Sequence, residues 1–447
     1  MKLRGDVSEK AGRIIDWSMS LIGRRSTALP GYVAERIDPK VLYKILQKRR
    51  FSERIIVTGT NGKTTTTLLL KNVLQAAGYA VVNNDSGSNL SRGVLTTLLQ
   101  DLRQGDRTVL LLEVDEASMP VVVDAVQPTH IVVMNLFRDQ LDRYGEVTTT
   151  QQIIKHALDK APDAKLILNA DDPWVAMLGR DKSSHFFGLS VARNLTLPHD
   201  FAADIPVASS GAGFSYSRRY FGHLGHYAAN DGSFRRPKPE VQVLNYVVEN
   251  NHLQRLRLTL SNKQHSINTH LRGIYNAYNI SAVMLTSMIL KINLATAIKA
   301  IEHTAPAFGR QEKVAVQGVE YDFQLIKNPI GFNQVIQEFC MDPRDNRPIV
   351  FAINDNFADG RDVSWLWDVA IEDIQTGGPC ITSGIRAYDM ALRLQYAGIE
   401  CEVIPDIRQA LHRAATIASV PGVRILPTYT ALLEIRKQFA LKLEHAS

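Results

Sequence analysis

The sequence predicts an α/β protein. Its larger part is a doubly wound phosphate-loop domain with a small β-rich insertion, and a second, Rossmann-like α/β domain follows. Three observations carry this. Short β-rich apolar runs alternate with helical patterns from about residue 50 to 180. Between the first run and the first helix stands Thr58-Gly59-Thr60-Asn61-Gly62-Lys63-Thr64-Thr65. After Pro306 and Gly309 the strand and helix texture resumes.

Taken in order, residues 1–48 read as a helical segment leading into the central domain. Within it Ile14 to Ile22, flanked by Arg13 and Arg24-Arg25, has helical apolar spacing. The expectation is an amphipathic helix packed on its own domain, with rest on anionic lipid as its other use. The central domain is expected over 49–304. Arg54 to Val57 is its first strand, Thr64 to Ala77 a helix stopped by Gly78, and further strands fall at 80–82, 109–112, 131–134 and 166–168. From about 190 to 270 Gly, Ser, Tyr and Arg with alternating stretches point to antiparallel structure, with the insertion proper at about 200–240. A helical region from Ala277 to His303 closes the domain. The second domain is expected over 305–447, with strands at 348–353, 380–382 and 402–404.

The chain has 447 residues, 45% apolar and 21% charged. That is ordinary globular composition and excludes fibrous and disordered classes. Fifty-one Lys and Arg against 45 Asp and Glu leave +6, with no polybasic run of the kind that tracks nucleic acid. The three cysteines, Cys340, Cys380 and Cys401, form no Cys-x-x-Cys pair, so neither a disulfide framework nor a thiolate metal site is written here. Charged residues open the chain and no window holds the roughly 18 apolar residues of a spanning helix. The expectation is a soluble, cytoplasmic protein, with peripheral contact at the inner membrane face as an option.

The glycine loop carries the clearest chemistry. Gly59, Thr60, Asn61 and Gly62 let backbone N–H groups close around phosphate oxygens. Lys63 reaches the β and γ phosphates, and Thr64, with Thr65 behind it, offers a hydroxyl to Mg²⁺. Such a lysine is expected to be exposed in the empty loop. The metal also needs a carboxylate, and Glu113, ending an apolar strand, stands where one is required. Of its neighbours Asp115 and Glu116, at least one is expected to be a solvated first helical turn.

Five segments appear in the order seen in the Mur ligase superfamily: the loop 59–64, Asn135 to Asp142, Asn169 to Pro173, Gly273 to Asn279 and Gly309 to Glu312. The chain resembles that superfamily. Lys327 to Asn333, Asn354 to Asp368 and Arg235 to Pro239 narrow the similarity to the MurT family, the ligase-like subunits of lipid II isoglutaminyl synthase. The resemblance implies an ATP- and Mg²⁺-dependent carbon–nitrogen ligase that activates a carboxylate as an acyl phosphate. Lys63 and Thr64 would handle phosphates and metal, Glu113 would help the metal, and Asn276 and Arg310 would hold the nucleotide. Read without the resemblance, Asn276 is as well a helix-capping or surface amide.

Departures matter equally. Amino-acid-adding relatives carry an Asp-Asn-Pro-Arg reader where this chain has Thr382 to Tyr388, and Asp139-Gln140 and Tyr275 replace residues usual elsewhere in the superfamily. Many MurT members carry a zinc ribbon, but the matching positions here are Val207, Ser210, Ala229 and Gly232, so zinc is not expected. The family implies amidation of the D-glutamate α-carboxyl of the lipid II stem peptide to D-isoglutamine, with ammonia from a GatD-like glutaminase. No cysteine here has the glycine-flanked elbow of such a glutaminase. An aspartate among Asp355, Asp359 and Asp362 is implied to be essential, with Asp355 the first choice and Asp359 next; each read singly is equally an Asx-turn or cap residue. The rivals are an amino-acid-adding or folylpolyglutamate-type ligase, and a non-catalytic nucleotide-binding scaffold.

Overall fold

The computed structural model describes residues 2–21, 28–84, 89–138, 147–192, 195–196, 198–199, 205–249, 253–306, 309–420 and 422–444. The Asp139-Gln140 pair, Arg24-Arg25 and the start of the insertion lie outside the described residues.

A nine-stranded sheet with the order β11-β10-β9-β6-β5-β4-β1-β3-β2 organises the central part. Strand β1 (Phe51–Thr58) lies between β3 (Gly105–Glu113) and β4 (His130–Val133), parallel to both. Ile55, Ile56 and Val57 are wholly buried, which is why these strands read as continuous apolar runs rather than alternating ones. Strands β2 (Ala80–Asn83), β5 (Lys165–Asn169) and β6 (Ser184–Leu189) complete the parallel set.

The antiparallel texture expected over 190–270 divides in two. A separate hairpin forms from β7 (Phe214–Phe221) and β8 (Leu224–Ala229). Strands β9 (Val241–Glu249), β10 (Leu253–Leu260) and β11 (Lys263–Thr269) instead extend the main sheet, through a parallel pairing of β6 with β9. In β10 Leu256, Leu258 and Leu260 are buried while Arg255 and Arg257 face solvent, so only one face of this part is covered. The expected helix over 277–303 is two, Ile274–Ile289 and Leu294–Glu302, both packed on the helix Lys63–Ala76.

Three helices, Lys2–Leu21, Leu29–Ile37 and Val41–Lys48, precede the sheet. The first packs on the second and on Ser91–Gln100. Gly12 permits the approach, since a Cβ there would stand 2.6 Å from Leu99 Cδ1.

The second sheet has the order β12-β13-β17-β14-β15-β16. Strands β13 (Val319–Gln324), β14 (Ile349–Ala352), β15 (Cys380–Ser383), β16 (Cys401–Val403) and β17 (Val423–Pro427) are parallel, and β12 (Arg310–Val316) is an antiparallel edge. Sequence reading missed β12, β13 and β17. Each carries charged residues that break the apolar run, and in β17 Arg424 is buried by donating to the Phe339 carbonyl at 2.7 Å.

The insertion's Val207, Ser210, Ala229 and Gly232 lie on two neighbouring turns. Gly211 N donates to Ala208 O and Gly232 N to Ala229 O, and the Ser210 and Ser233 hydroxyls are 3.1 Å apart. His223 and His226 turn inward instead, His223 against the Phe137 ring at 4.6 Å and His226 Nε2 3.0 Å from Leu189 O. We expect elemental analysis of the purified chain to find no stoichiometric zinc, because the four turn positions offer no thiolate or imidazole. One tightly held zinc per chain would contradict this.

Asp171 joins these parts. Fully buried, it accepts from Leu189 N at 2.7 Å, Tyr278 OH at 2.7 Å and Arg236 Nε at 2.5 Å. Burial lowers the Arg236 guanidinium, yet the Asp171 carboxylate outweighs it and the net shift is upward. Asp172 caps the helix Pro173–Leu178 and also accepts from Leu136 N at 2.7 Å. Asp171→Ala should therefore cost about 3–5 kcal/mol in urea unfolding, since it strands a buried cation and two donors. A loss below about 1 kcal/mol would remove Asp171 from this role.

Candidate active site

The phosphate loop leaves β1 at its C-terminal end and turns into the helix Lys63–Ala76. Gly59 and Gly62 have φ of 123° and 89°, values that favour glycine. A Cβ on Gly59 would lie 2.8 Å from Asn135 O. Asn135 holds the loop from beneath: Asn61 N donates to its Oδ1 at 2.9 Å, its Nδ2 donates to Asn61 O at 3.0 Å, and its carbonyl accepts from Thr60 N. Because Asp172 holds Leu136 N, the loop is anchored to the buried carboxylates two steps away.

Lys63 is not exposed, as the sequence led one to expect. It is 8% accessible, with Nζ donating to Gly59 O at 2.6 Å and lying 3.2 Å from Glu116 Oε2. Glu116 and Asp115 are themselves buried, so neither is a solvated first turn; Asp115 caps the short 3₁₀ turn by accepting from Ala117 N. The physical reason is the same for all three. The end of β3 turns back under the loop, and a buried lysine there needs a carboxylate. Glu116 is thus a site residue that sequence reasoning passed over.

Thr64 Oγ1 donates to Glu113 Oε1 at 3.3 Å, and Asn89 Nδ2 donates to the same oxygen at 3.4 Å. Asn84 fixes Glu113 by its backbone in both directions. A hydroxyl and a carboxylate this close form the hard-oxygen set that Mg²⁺ uses while keeping most of its waters, so the residues fit the ion. Among the described residues no group of three His, Cys, Asp or Glu gathers at one metal site.

A cleft runs between the two sheets, walled by Thr65, Tyr275 and Asn279 on one side and Arg310, Lys327 and Gln334 on the other. Arg310 Nη1 lies 3.5 Å from Thr65 Oγ1; burial lowers its guanidinium, and the Glu113 carboxylate opposes this. Lys327 Nζ donates to Thr60 O at 3.3 Å and Asn328 Nδ2 to Asn61 Oδ1 at 3.2 Å. Asn276 is buried behind the wall, its Nδ2 donating to Arg272 O and its Oδ1 accepting from Asn279 Nδ2 at 3.0 Å. Asn279 is the amide that meets the cleft. Its place one helical turn after Asn276 was the available signal.

The acidic cluster follows β14. Asp355 Oδ2 accepts from Arg386 Nε at 2.9 Å and Nη2 at 2.8 Å and keeps 17% side-chain exposure. Asp359 is buried and accepts from Thr430 N at 2.8 Å; burial raises its pKa. Asp362 accepts from Ser364 N at 2.8 Å. The latter two are occupied as turn and cap residues, and Asp355 is held in a fixed position by Arg386.

Residues 57–216 match the Mur ligase middle domain and 325–432 the MurT ligase C-terminal domain. A pseudomurein peptide ligase type C from Methanothermus fervidus superposes with TM-score 0.70 at 22% identity, covering 90% of this chain and 80% of that one. The MurF ligase from Thermotoga maritima in complex with ADP gives 0.64 at 13% identity, covering 93% and 85%. The fold is that of the Mur ligases, carbon–nitrogen ligases of peptidoglycan synthesis. The lipid II isoglutaminyl synthase (glutamine-hydrolyzing) subunit MurT of Streptococcus pneumoniae is 32% identical over 98% of both chains, and that of Staphylococcus aureus 28% over 93% of both. The chain belongs to the MurT family.

Lys63→Ala should reduce ATP turnover by at least about a hundredfold. It should also destabilise the protein, because Glu116 loses its cation; adding Glu116→Gln should restore the melting temperature and leave turnover low. Turnover at the wild-type rate in folded Lys63→Ala would remove the loop from the chemistry.

Proposed function

We propose that this chain amidates the D-glutamate α-carboxyl of the lipid II stem peptide in the cytoplasm, at the inner face of the membrane, with ammonia from a GatD-like glutaminase. The carboxylate oxygen attacks the γ-phosphorus of ATP, breaking the bond to ADP and forming an acyl phosphate. Ammonia then attacks the acyl carbon, phosphate leaves, and a proton is lost to give D-isoglutamine. Lys63, Arg310 and the loop amides gather around the transferring phosphoryl group, with Asn279, backed by Asn276, and Thr65 lining the nucleotide cleft. Thr64 and Glu113 would hold Mg²⁺, which supplies neutralisation of phosphate charge when bound.

The observation that carries the reading is the placement of Asp355. Its carboxylate is aimed by Arg386, and Ile385 N donates to the Asn354 side chain at 3.0 Å. The segment where amino-acid-adding relatives carry a reader therefore serves to position an aspartate. This favours a ligase whose nucleophile is ammonia over one that reads an amino acid. Exposed Phe357 stands two residues beyond Asp355 and exposed Ile385 precedes Arg386, and exposed Tyr388, Leu392 and Tyr396 follow at one-turn spacing along the helix Ala387–Tyr396. A face of this kind suits a protein partner. The chain's own thiols are poor nucleophiles: burial pushes Cys340 up to about 12 and Cys380 up to about 11.

Asp355→Asn, assayed on lipid II with the glutaminase present, should lose activity by orders of magnitude with glutamine as donor. High ammonium salt should restore isoglutamine formation, followed by mass spectrometry, if Asp355 orients a histidine of the partner. Loss with both donors places Asp355 in the amidation step itself. Full activity with both would defeat the role and leave Asp359 or Asp362 to be tested.

A further inference from the structure

The chain's basic surplus is not spread along it. The first 50 residues hold twelve Lys and Arg against five Asp and Glu, a surplus of seven, where the whole chain has six. The remaining 397 residues are thus close to neutral, at −1 by difference. The surplus therefore belongs to the segment that precedes the sheet, three helices and their connections.

The helix Lys2–Leu21 sorts its residues by face. Ser8 and Gly12 are buried against the domain, with Ser8 Oγ donating to Ala34 O. Asp16 turns toward the domain as well, accepting from Gln100 Nε2, and Glu9 is paired with Arg13. The outward side carries Val7, Ile14 and Trp17, at 53%, 61% and 63% exposure, together with exposed Lys10. Positions 7, 10, 14 and 17 share one helical face. A soluble face ordinarily reverses this order, with charges outward and apolar residues inward. No helix among the described residues is long and apolar enough to cross a membrane, so this one does not insert as a span.

We propose that this outward face rests on an anionic membrane surface, Trp17 and Ile14 entering the headgroup region while Lys10 meets lipid phosphates. The proposal rests on the reading that the substrate is membrane-anchored, and it gives that reading a geometry. Indole rings favour the interface between water and acyl chains, and basic residues beside a shallow apolar contact add attraction to anionic lipid. The contact would hold the ligase beside a substrate that diffuses only in the plane of the membrane.

The test uses the full chain and vesicles without substrate. Flotation with phosphatidylcholine vesicles is compared with vesicles that also contain phosphatidylglycerol, at low and high salt. Binding should require phosphatidylglycerol, weaken as salt is raised, and fall about tenfold or more in I14E/W17E and in K10E. These side chains are outside the core, and an unchanged melting temperature verifies folding. Wild-type binding retained in I14E/W17E, binding equal on both lipids, or no binding at all would overturn the proposal. Activity separates this from the functional reading: I14E/W17E should amidate a water-soluble, lipid-free stem peptide at the wild-type rate and slow only on vesicle-embedded substrate. Equal loss on both substrates would also overturn it. A wild-type protein that floats with anionic vesicles yet amidates neither substrate would defeat the functional reading alone.

Discussion

Two adjacent buried carboxylates, Asp171 and Asp172, tie the molecule together. Through Arg236, Leu189 and Tyr278, Asp171 fastens the insertion, the sixth strand and the long helix after the sheet to one point. Asp172 fastens the segment Asn135 to Phe137, and that segment holds the phosphate loop. A buried anion is tolerated only when its lone pairs are filled, so each partner has one permitted position. The phosphate loop is thereby fixed by residues at the same edge of the sheet, where β5 and β1 end with only β4 between them.

The site is assembled from both sheets. The loop, Glu113 and Glu116 come from the first, whereas Arg310 and Lys327 come from the second and reach back to Thr65 and Thr60. Further bonds join the two parts away from the cleft, including Arg138 to Asp368 at 2.8 Å and His199 to Asp373 at 2.7 Å. Closure of such a cleft excludes water, which strengthens every charge interaction within it. At the same C-terminal edge of the second sheet, Asp355 follows β14, separated from β13 and its cleft residues by β17.

The sequence by itself determined the phosphate loop, its parallel sheet and the family. Those features rest on local rules: glycine at positive φ, lysine and threonine at a helix start, and apolar runs in doubly covered strands. The family resemblance implied an aspartate among Asp355, Asp359 and Asp362; in the structure Asp355 is paired with Arg386, while Asp359 and Asp362 accept from Thr430 N and Ser364 N. What the tertiary structure alone decided depends on contacts between distant segments. Lys63 is buried because Glu116 comes beneath it from 53 residues away. Asn279 meets the cleft where Asn276 does not, since the helix turns the latter toward Arg272. Strands β12, β13 and β17 carry charges that break their apolar runs, and in β17 Arg424 is tolerated only because it is buried beside the Phe339 carbonyl and the Asp345 carboxylate. A linear pattern records which residues are apolar or charged; it does not record which charges will find partners, and in this protein those pairings place the site.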